Sequence, residues 1–163
     1  MYKYLKFFEE LSIDDIPTVG GKNASLGEMY HHLRPQGVNL PNGVATTSQA
    51  YYYFLEQAGL NQRIADTLNG IDIHNMQDLA ARGSAIRDMI VKSHLPQDFE
   101  EEIKQAYREL SQKCGHENGD LVVAIRSSAT AEDLPNASFA GQQATFLNIK
   151  GEAHVLEATK ECI

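Results

Sequence analysis

Leu121-Val122-Val123-Ala124-Ile125-Arg126-Ser127-Ser128-Ala129-Thr130-Ala131-Glu132-Asp133 is the stretch on which the reading of the fold turns. Its first five residues are apolar and bounded by Gly119-Asp120 and by a charge, so they read as a buried strand. A turn at Leu134-Pro135-Asn136 and the run Ser138-Phe139-Ala140-Gly141-Gln142-Gln143 follow, and Thr145-Phe146-Leu147-Asn148-Ile149 reads as a second strand. The segment between the strands is too rich in Ser, Ala, Thr and Gly to build its own core. Small residues let a backbone come close to something, and hydroxyls supply donors at the contact. Arg126 is the only Lys or Arg between Lys113 and Lys150. A lone guanidinium at a strand end beside a small-residue loop suits a phosphate ligand. It equally suits a structural ion pair with Glu132 or Asp133, and chemistry alone leaves both open.

Working outward, Val19-Gly20-Gly21-Lys22-Asn23 precedes a helix to about Leu33, with Leu26, Met29, Tyr30 and Leu33 on one face. Two glycines before a helix, with a Lys in its first turn, form a potential anion site, because unpaired N–H groups and the positive dipole end favour negative charge. A glycine turn that merely enters a helix is the plainer alternative. The spacing is not that of a P-loop. Residues 38–46 read as a strand interrupted by Pro41-Asn42-Gly43. Thr47 or Ser48 caps a helix to Gln57 that stops at Gly59, and most of its rings, among Tyr51-Tyr52-Tyr53-Phe54, are expected in the core. Helices are expected over Asn61–Leu68 and Asn75–Lys92, the latter with Met76, Leu79, Ala80, Ile86, Met89 and Ile90 apolar. After Pro96, Asp98 is expected to cap a helix whose inward face is Phe99, Ile103, Ala106, Tyr107 and Leu110. Residues 60–113 read as scaffold. The last helix is Glu152 to Ile163, with Val155, Leu156, Thr159 and Ile163 inward.

With 163 residues, 42% hydrophobic and 22% charged, the chain is long enough to bury a core without staples. A net charge of −8 and no basic run argue against a nucleic-acid or anionic-membrane surface, though not against an anionic ligand. Two cysteines, Cys114 and Cys162, lack metal-site spacing and point to a reduced, cytoplasmic setting. Acids at Glu9-Glu10 come too early for a signal peptide, and no run approaches a membrane span. None of the six histidines has a ligand-pair spacing, and no serine sits in a nucleophile elbow. No residue is assigned a catalytic or metal-binding role.

Taken together, Val19-Gly20-Gly21-Lys22-Asn23-Ala24-Ser25-Leu26-Gly27-Glu28-Met29 and the run from Ala124 to Ile149 resemble the signatures of the nucleotide-binding domain of the phosphoenolpyruvate synthase family. Leu40-Pro41-Asn42-Gly43-Val44-Ala45-Thr46-Thr47 is similar too, with Val44 where Phe is common. The resemblance covers nearly the whole chain. Pyruvate phosphate dikinase and rifampicin phosphotransferase share this domain, and Asn23-Ala24-Ser25 is more like the synthase than like either.

The resemblance implies an α+β fold, the N-terminal lobe of an ATP-grasp-like nucleotide-binding domain over residues 1–163, with helices around a small sheet of 38–46, 121–126 and 145–149. It implies that Lys22 and Arg126 hold ATP phosphates, with Gly141 to Thr145 as a flap: Gly141 through its backbone and Thr145 through its hydroxyl. It implies Mg²⁺ held by acidic ligands outside this stretch, pyruvate reached through other domains, and a homodimeric parent. In the family, ATP phosphorylates a histidine on a separate domain, which passes the phosphoryl group to pyruvate and leaves AMP, phosphoenolpyruvate and phosphate. The family's Thr-Ser-His or Thr-Cys-His motif is absent, since Ser93-His94-Leu95 lacks its context, and the chain stops at Cys162-Ile163 inside a helix. It is therefore expected to be a portion of a longer enzyme, inactive alone. The alternatives are a related phosphotransferase with another acceptor and a stand-alone, non-catalytic nucleotide-binding module.

Overall fold

Phe99, Ile103, Ala106, Tyr107 and Leu110 recur at helical spacing, and the helix that carries them is the axis of the core. The computed structural model describes residues 2–116, 120–130 and 143–163. In chain order the elements are β1 (Leu5–Phe7), α1 (Ile16–Val19), α2 (Gly21–Leu33), β2 (Val44–Thr46), α3 (Ser48–Gln57), α4 (Leu60–Leu68), α5 (Met76–Lys92), α6 (Gln97–Lys113), β3 (Val122–Arg126), β4 (Thr145–Lys150) and α7 (Glu152–Glu161). Single 3₁₀ turns lie at Phe8–Glu10, Ile13–Asp15 and Arg34–Gln36. The architecture is α+β.

All five inward residues of α6 are buried. Four of them, Phe99, Ile103, Ala106 and Tyr107, pack with Tyr4, Leu5, Phe54, Leu60, Ile90 and Val155, so α6 gathers β1, α3, α4, α5 and α7 into one core. Glu102 of α6 also accepts the backbone N–H groups of Lys3 and Tyr4, both at 2.9 Å, which fixes the start of the chain on that helix. A second, smaller cluster of Leu11, Val19, Ala24 and Ala45 lies under α2.

The sheet differs from the three-stranded expectation. Among the described residues there are two separate antiparallel pairs, β1–β2 and β3–β4. Residues 38–43 stay outside strand structure, where Pro41 lacks an N–H and the Asn42 side chain accepts the N–H of Gly43. Only Val44–Thr46 pairs, and its partner is the unforeseen Leu5–Phe7. Nor is β3 buried on both faces: Val123 and Ile125 face the core, whereas Val122, Ala124 and Arg126 are exposed. A two-stranded ribbon packed on one side leaves its other side to solvent.

Other boundaries follow local chemistry. Thr47 caps α3, accepting the Ala50 N–H at 3.2 Å, and α3 ends before Gly59 as expected. Its aromatic load is less buried than expected: Phe54 is fully buried and Tyr53 partly, while Tyr51 and Tyr52 are exposed. Asp98 is not the cap of α6; Pro96 holds that position and Asp98 sits in the first turn, accepting the Tyr53 hydroxyl. In α5 only Ile90 is buried and Met76 and Leu79 are exposed; α7 ends at Glu161, short of the expected Ile163, its buried residues are Val155 and Ala158, and Ile163 past its end is exposed.

The buried stripe of α2 is Ala24, Gly27 and Tyr30; of the expected Leu26, Met29, Tyr30 and Leu33 only Tyr30 is on it. The reason is closeness rather than hydrophobicity. A Cβ on Gly27 would lie 2.5 Å from Leu11 Cβ and 2.7 Å from its carbonyl oxygen, so the smallest residues make the contact.

One phenol sets the ribbon's place. Tyr107 of α6 donates its hydroxyl to the Leu121 carbonyl at 2.7 Å, just before β3, and accepts the Gly151 N–H at 3.0 Å, just after β4. The root of β3–β4 is therefore fastened to the core, and its other end reaches toward α2.

Candidate nucleotide-binding site

Gly20 sits between α1 and α2 with φ 82° and ψ 160°, a conformation open in practice only to glycine. This kink lets α1 end and α2 begin at once: the Gly20 N–H closes α1 on Ile16 O at 2.9 Å, and the Gly20 carbonyl accepts the Ala24 N–H at 3.1 Å. The N-terminus of α2 then presents Gly21, Lys22 and Asn23 in its first turn, with no acid among them. A lysine there is set against the positive end of the helix dipole, an arrangement that an anion would relieve.

The far end of the ribbon meets this turn. Ser128 Oγ donates to the Val19 carbonyl at 3.1 Å, and the same carbonyl accepts Asn23 Nδ2 at 2.8 Å. A Cβ on Gly20 would lie 2.3 Å from Ser128 Oγ and 2.9 Å from the Ala129 carbonyl oxygen. The small-residue segment after Arg126 thus does approach another backbone closely, and that backbone is the Val19-Gly20 turn. Two motifs more than a hundred residues apart form one junction.

Within the ribbon, Arg126 and Thr145 are directly opposite each other. Both are on the solvent face. Beyond them Ser127 extends the ladder, its N–H reaching the Ala144 carbonyl at 3.1 Å and its Oγ the same oxygen at 3.3 Å. The pairing shifts between Val123 and Ile125, where Leu147 and Asn148 together oppose Ala124. Asn148 is the one described non-glycine residue at positive φ, 59°, a conformation asparagine tolerates. The extra residue lets Phe146 and Ile149, three apart, both turn from solvent, and keeps Thr145 beside Arg126 on the outer face.

Of the residues singled out from sequence, the structure brings Arg126 and Thr145 together and links their ribbon end to the turn that carries Lys22. Gly141 lies outside the described residues, as do Glu132, Asp133 and the expected Leu134-Pro135-Asn136 turn. Ser128, Ser127 and Asn23, which hold the junction, were not assigned individually; the only signal for them was the density of small and hydroxyl residues. Among the described residues no group of three or more His, Cys, Asp or Glu is placed to hold a metal ion.

A hollow of about 670 Å³ opens elsewhere, lined by Tyr53, Gln57, His94, Asp98 and Glu101 among others. Burial and the Asp98 carboxylate push the Tyr53 phenol up to about 12. Two carboxylates in the lining make it a poor receptor for a polyphosphate. No described helix is long and apolar enough to cross a membrane.

The family model described as the pyruvate phosphate dikinase AMP/ATP-binding domain matches residues 16–163. The chain is similar to phosphoenolpyruvate synthases: 48% identical over 161 residues to that of Helicobacter pylori, covering 99% of this chain and 20% of that protein. It is 49% identical over 161 residues to the Pseudomonas aeruginosa protein, again 99% and 20%. It is 48% identical over 154 residues to the Escherichia coli protein, 94% and 19%. The chain spans about a fifth of the length of these curated relatives. On a match that takes in both halves of the junction, the chain belongs to the pyruvate phosphate dikinase AMP/ATP-binding domain family.

Proposed function

We propose that residues 1–163 are the N-terminal lobe of the ATP-grasp-like nucleotide-binding domain of a phosphoenolpyruvate synthase. The observation that carries the reading is the Ser128 Oγ to Val19 hydrogen bond at 3.1 Å, which ties the Arg126 strand end to the Gly20-Gly21-Lys22 turn. Two cationic side chains and a helix N-terminus then serve one anionic substrate. Lys22 supplies a compact charge, Arg126 a forked pair of donors, Thr145 a hydroxyl, and the first turn of α2 its N–H groups. Gly141 is carried by the family resemblance, as a backbone contact to the phosphates.

Phosphoryl transfer is catalysed mainly by positioning and by neutralising charge. The work of these residues is to hold the ATP phosphate chain in register while the transfer proceeds. The acceptor histidine, the pyruvate site and the Mg²⁺ ligands belong to other parts of a longer enzyme, which is cytoplasmic and homodimeric. Its overall reaction converts ATP, pyruvate and water to AMP, phosphoenolpyruvate and phosphate. The names of the relatives favour this acceptor over an antibiotic or inorganic phosphate.

The test is turnover by the full-length protein. Lys22→Ala and Arg126→Ala should each lower ATP-dependent formation of phosphoenolpyruvate by a factor on the order of 10²–10³, the effect of one lost donor at a charged site. Unchanged turnover in either variant would remove that residue from the site. Wild-type protein that consumes ATP only with an acceptor other than pyruvate would overturn the reaction assignment.

A further inference from the structure

Gln143 stands two residues before Thr145 on the arm that leads into β4. Both polar atoms of its side chain, Nε2 and Oε1, are shut off from solvent, and neither has a hydrogen-bond partner among the described residues. A carboxamide offers two donors and two acceptor lone pairs. Leaving such a group buried and unmatched costs free energy, so an orphan of this kind needs a reason.

Its place in the fold suggests one. The next residue, Ala144, gives its carbonyl to Ser127 twice, through N–H at 3.1 Å and Oγ at 3.3 Å. Ser127 lies between Arg126, which faces Thr145, and Ser128, which holds the Val19-Gly20 turn. The orphaned amide therefore sits on the same anchored backbone as the proposed phosphate contacts. Tyr4, whose buried hydroxyl is the other unmatched side-chain group among the described residues, stacks on Tyr53 in the main core and has no such neighbours.

We infer that Gln143 is a further nucleotide-binding residue, whose amide donates to the polyphosphate of the bound nucleotide and obtains its partner only when the site is filled. This rests on the reading of the site given above. A neutral donor suits the position, since it adds a directed hydrogen bond to the charges of Lys22 and Arg126 without repelling either.

The test separates binding from folding. Gln143→Met, close in size and apolar, and Gln143→Glu, close in shape and anionic, are made in the full-length protein. Thermal unfolding without nucleotide and calorimetric titration with Mg-ATP and Mg-AMP are measured for each, beside Lys22→Ala and Arg126→Ala. For Gln143→Met the expected result is an unfolding temperature equal to or above wild type, with ATP binding weakened about ten- to hundredfold. Gln143→Glu should weaken ATP binding further, and AMP should lose much less than ATP in both variants. A Gln143→Met protein that is less stable without nucleotide marks the amide as structural and overturns the inference. So does unchanged ATP affinity, or an equal loss for ATP and AMP. If the Lys22 and Arg126 variants lose ATP affinity while Gln143→Met keeps it, only Gln143 leaves the site. If all three bind ATP as wild type does, the site itself is refuted.

Discussion

Replacing Gly20 by alanine should break the junction, and its cost can be worked from the structure. At φ 82° and ψ 160° an L-residue is strained by about 1–3 kcal/mol. The new Cβ would also lie 2.3 Å from Ser128 Oγ and 2.9 Å from the Ala129 carbonyl oxygen. The hydroxyl can swing aside only by giving up its 3.1 Å bond to Val19, worth about 1 kcal/mol. The carbonyl, being backbone, has less room to yield. The sum is about 2–4 kcal/mol, which for a chain of this size lowers the unfolding temperature by roughly 5–15 °C. Gly21→Ala is the control. A Cβ there meets no heavy atom within 4 Å, and alanine is the better helix former, so thermal unfolding should be unchanged or slightly later. Adding Ser128→Gly to Gly20→Ala removes the closest contact and leaves the dihedral strain, so it should recover only part of the loss. Equal effects of the two alanine substitutions, or full recovery in the double variant, would refute the argument from backbone conformation.

Asn148→Gly should leave thermal stability within a few tenths of a kcal/mol, whereas Asn148→Val should lose about 1–2 kcal/mol, because only the first accepts φ 59°; a valine variant that melts with wild type would contradict the bulge. Asp15 accepts Lys6 Nζ at 2.8 Å and the Ser12 N–H at 2.9 Å, and the Lys6 bond foremost holds its carboxyl below the ordinary value. Its contribution is therefore present above the unfolded carboxylate value and lost as pH falls through the lower folded one. The stability gap between wild type and Asp15→Asn should be constant near neutrality and close below about pH 4, as unfolding temperatures across pH 2–7 would show; a gap that persists at the lowest pH would contradict the assignment.

What could be read in the sequence was local. The bounds of α3 and the end of α6 follow from a threonine cap, from glycines past the ends and from a clean helical stripe, all within a few residues; the start of α6 does not, since Pro96 and not Asp98 precedes it. Strand partners were not legible. Leu5–Phe7 is three residues long and shows no period of its own, so its pairing with Val44–Thr46 depends on contacts across the fold. The inward face of α2 is legible in part: Tyr30 is buried, but hydrophobicity does not point to Gly27, which lies against Leu11, while Met29 is exposed. The bulge left a trace, since Phe146 and Ile149 are three apart in a segment that otherwise reads as a strand of period two. The site was half legible. Gly20, Lys22 and Arg126 stood out by type, and the small-residue loop announced a close approach without naming its partner. Only the fold shows that Ser128 closes on Val19 and that Gln143 keeps a buried amide unmatched.

On the function proposed above, the turn carrying Lys22 and the ribbon end carrying Arg126 and Thr145 grip one nucleotide. The most direct measurement is a crystal structure of the full-length protein with a non-hydrolysable ATP analogue. Phosphate oxygens of one molecule of analogue are expected within hydrogen-bonding distance of both Lys22 and Arg126. A nucleotide seated elsewhere, such as the acidic hollow beside Tyr53 and Glu101, or one that touches only one of the two cations, would contradict it.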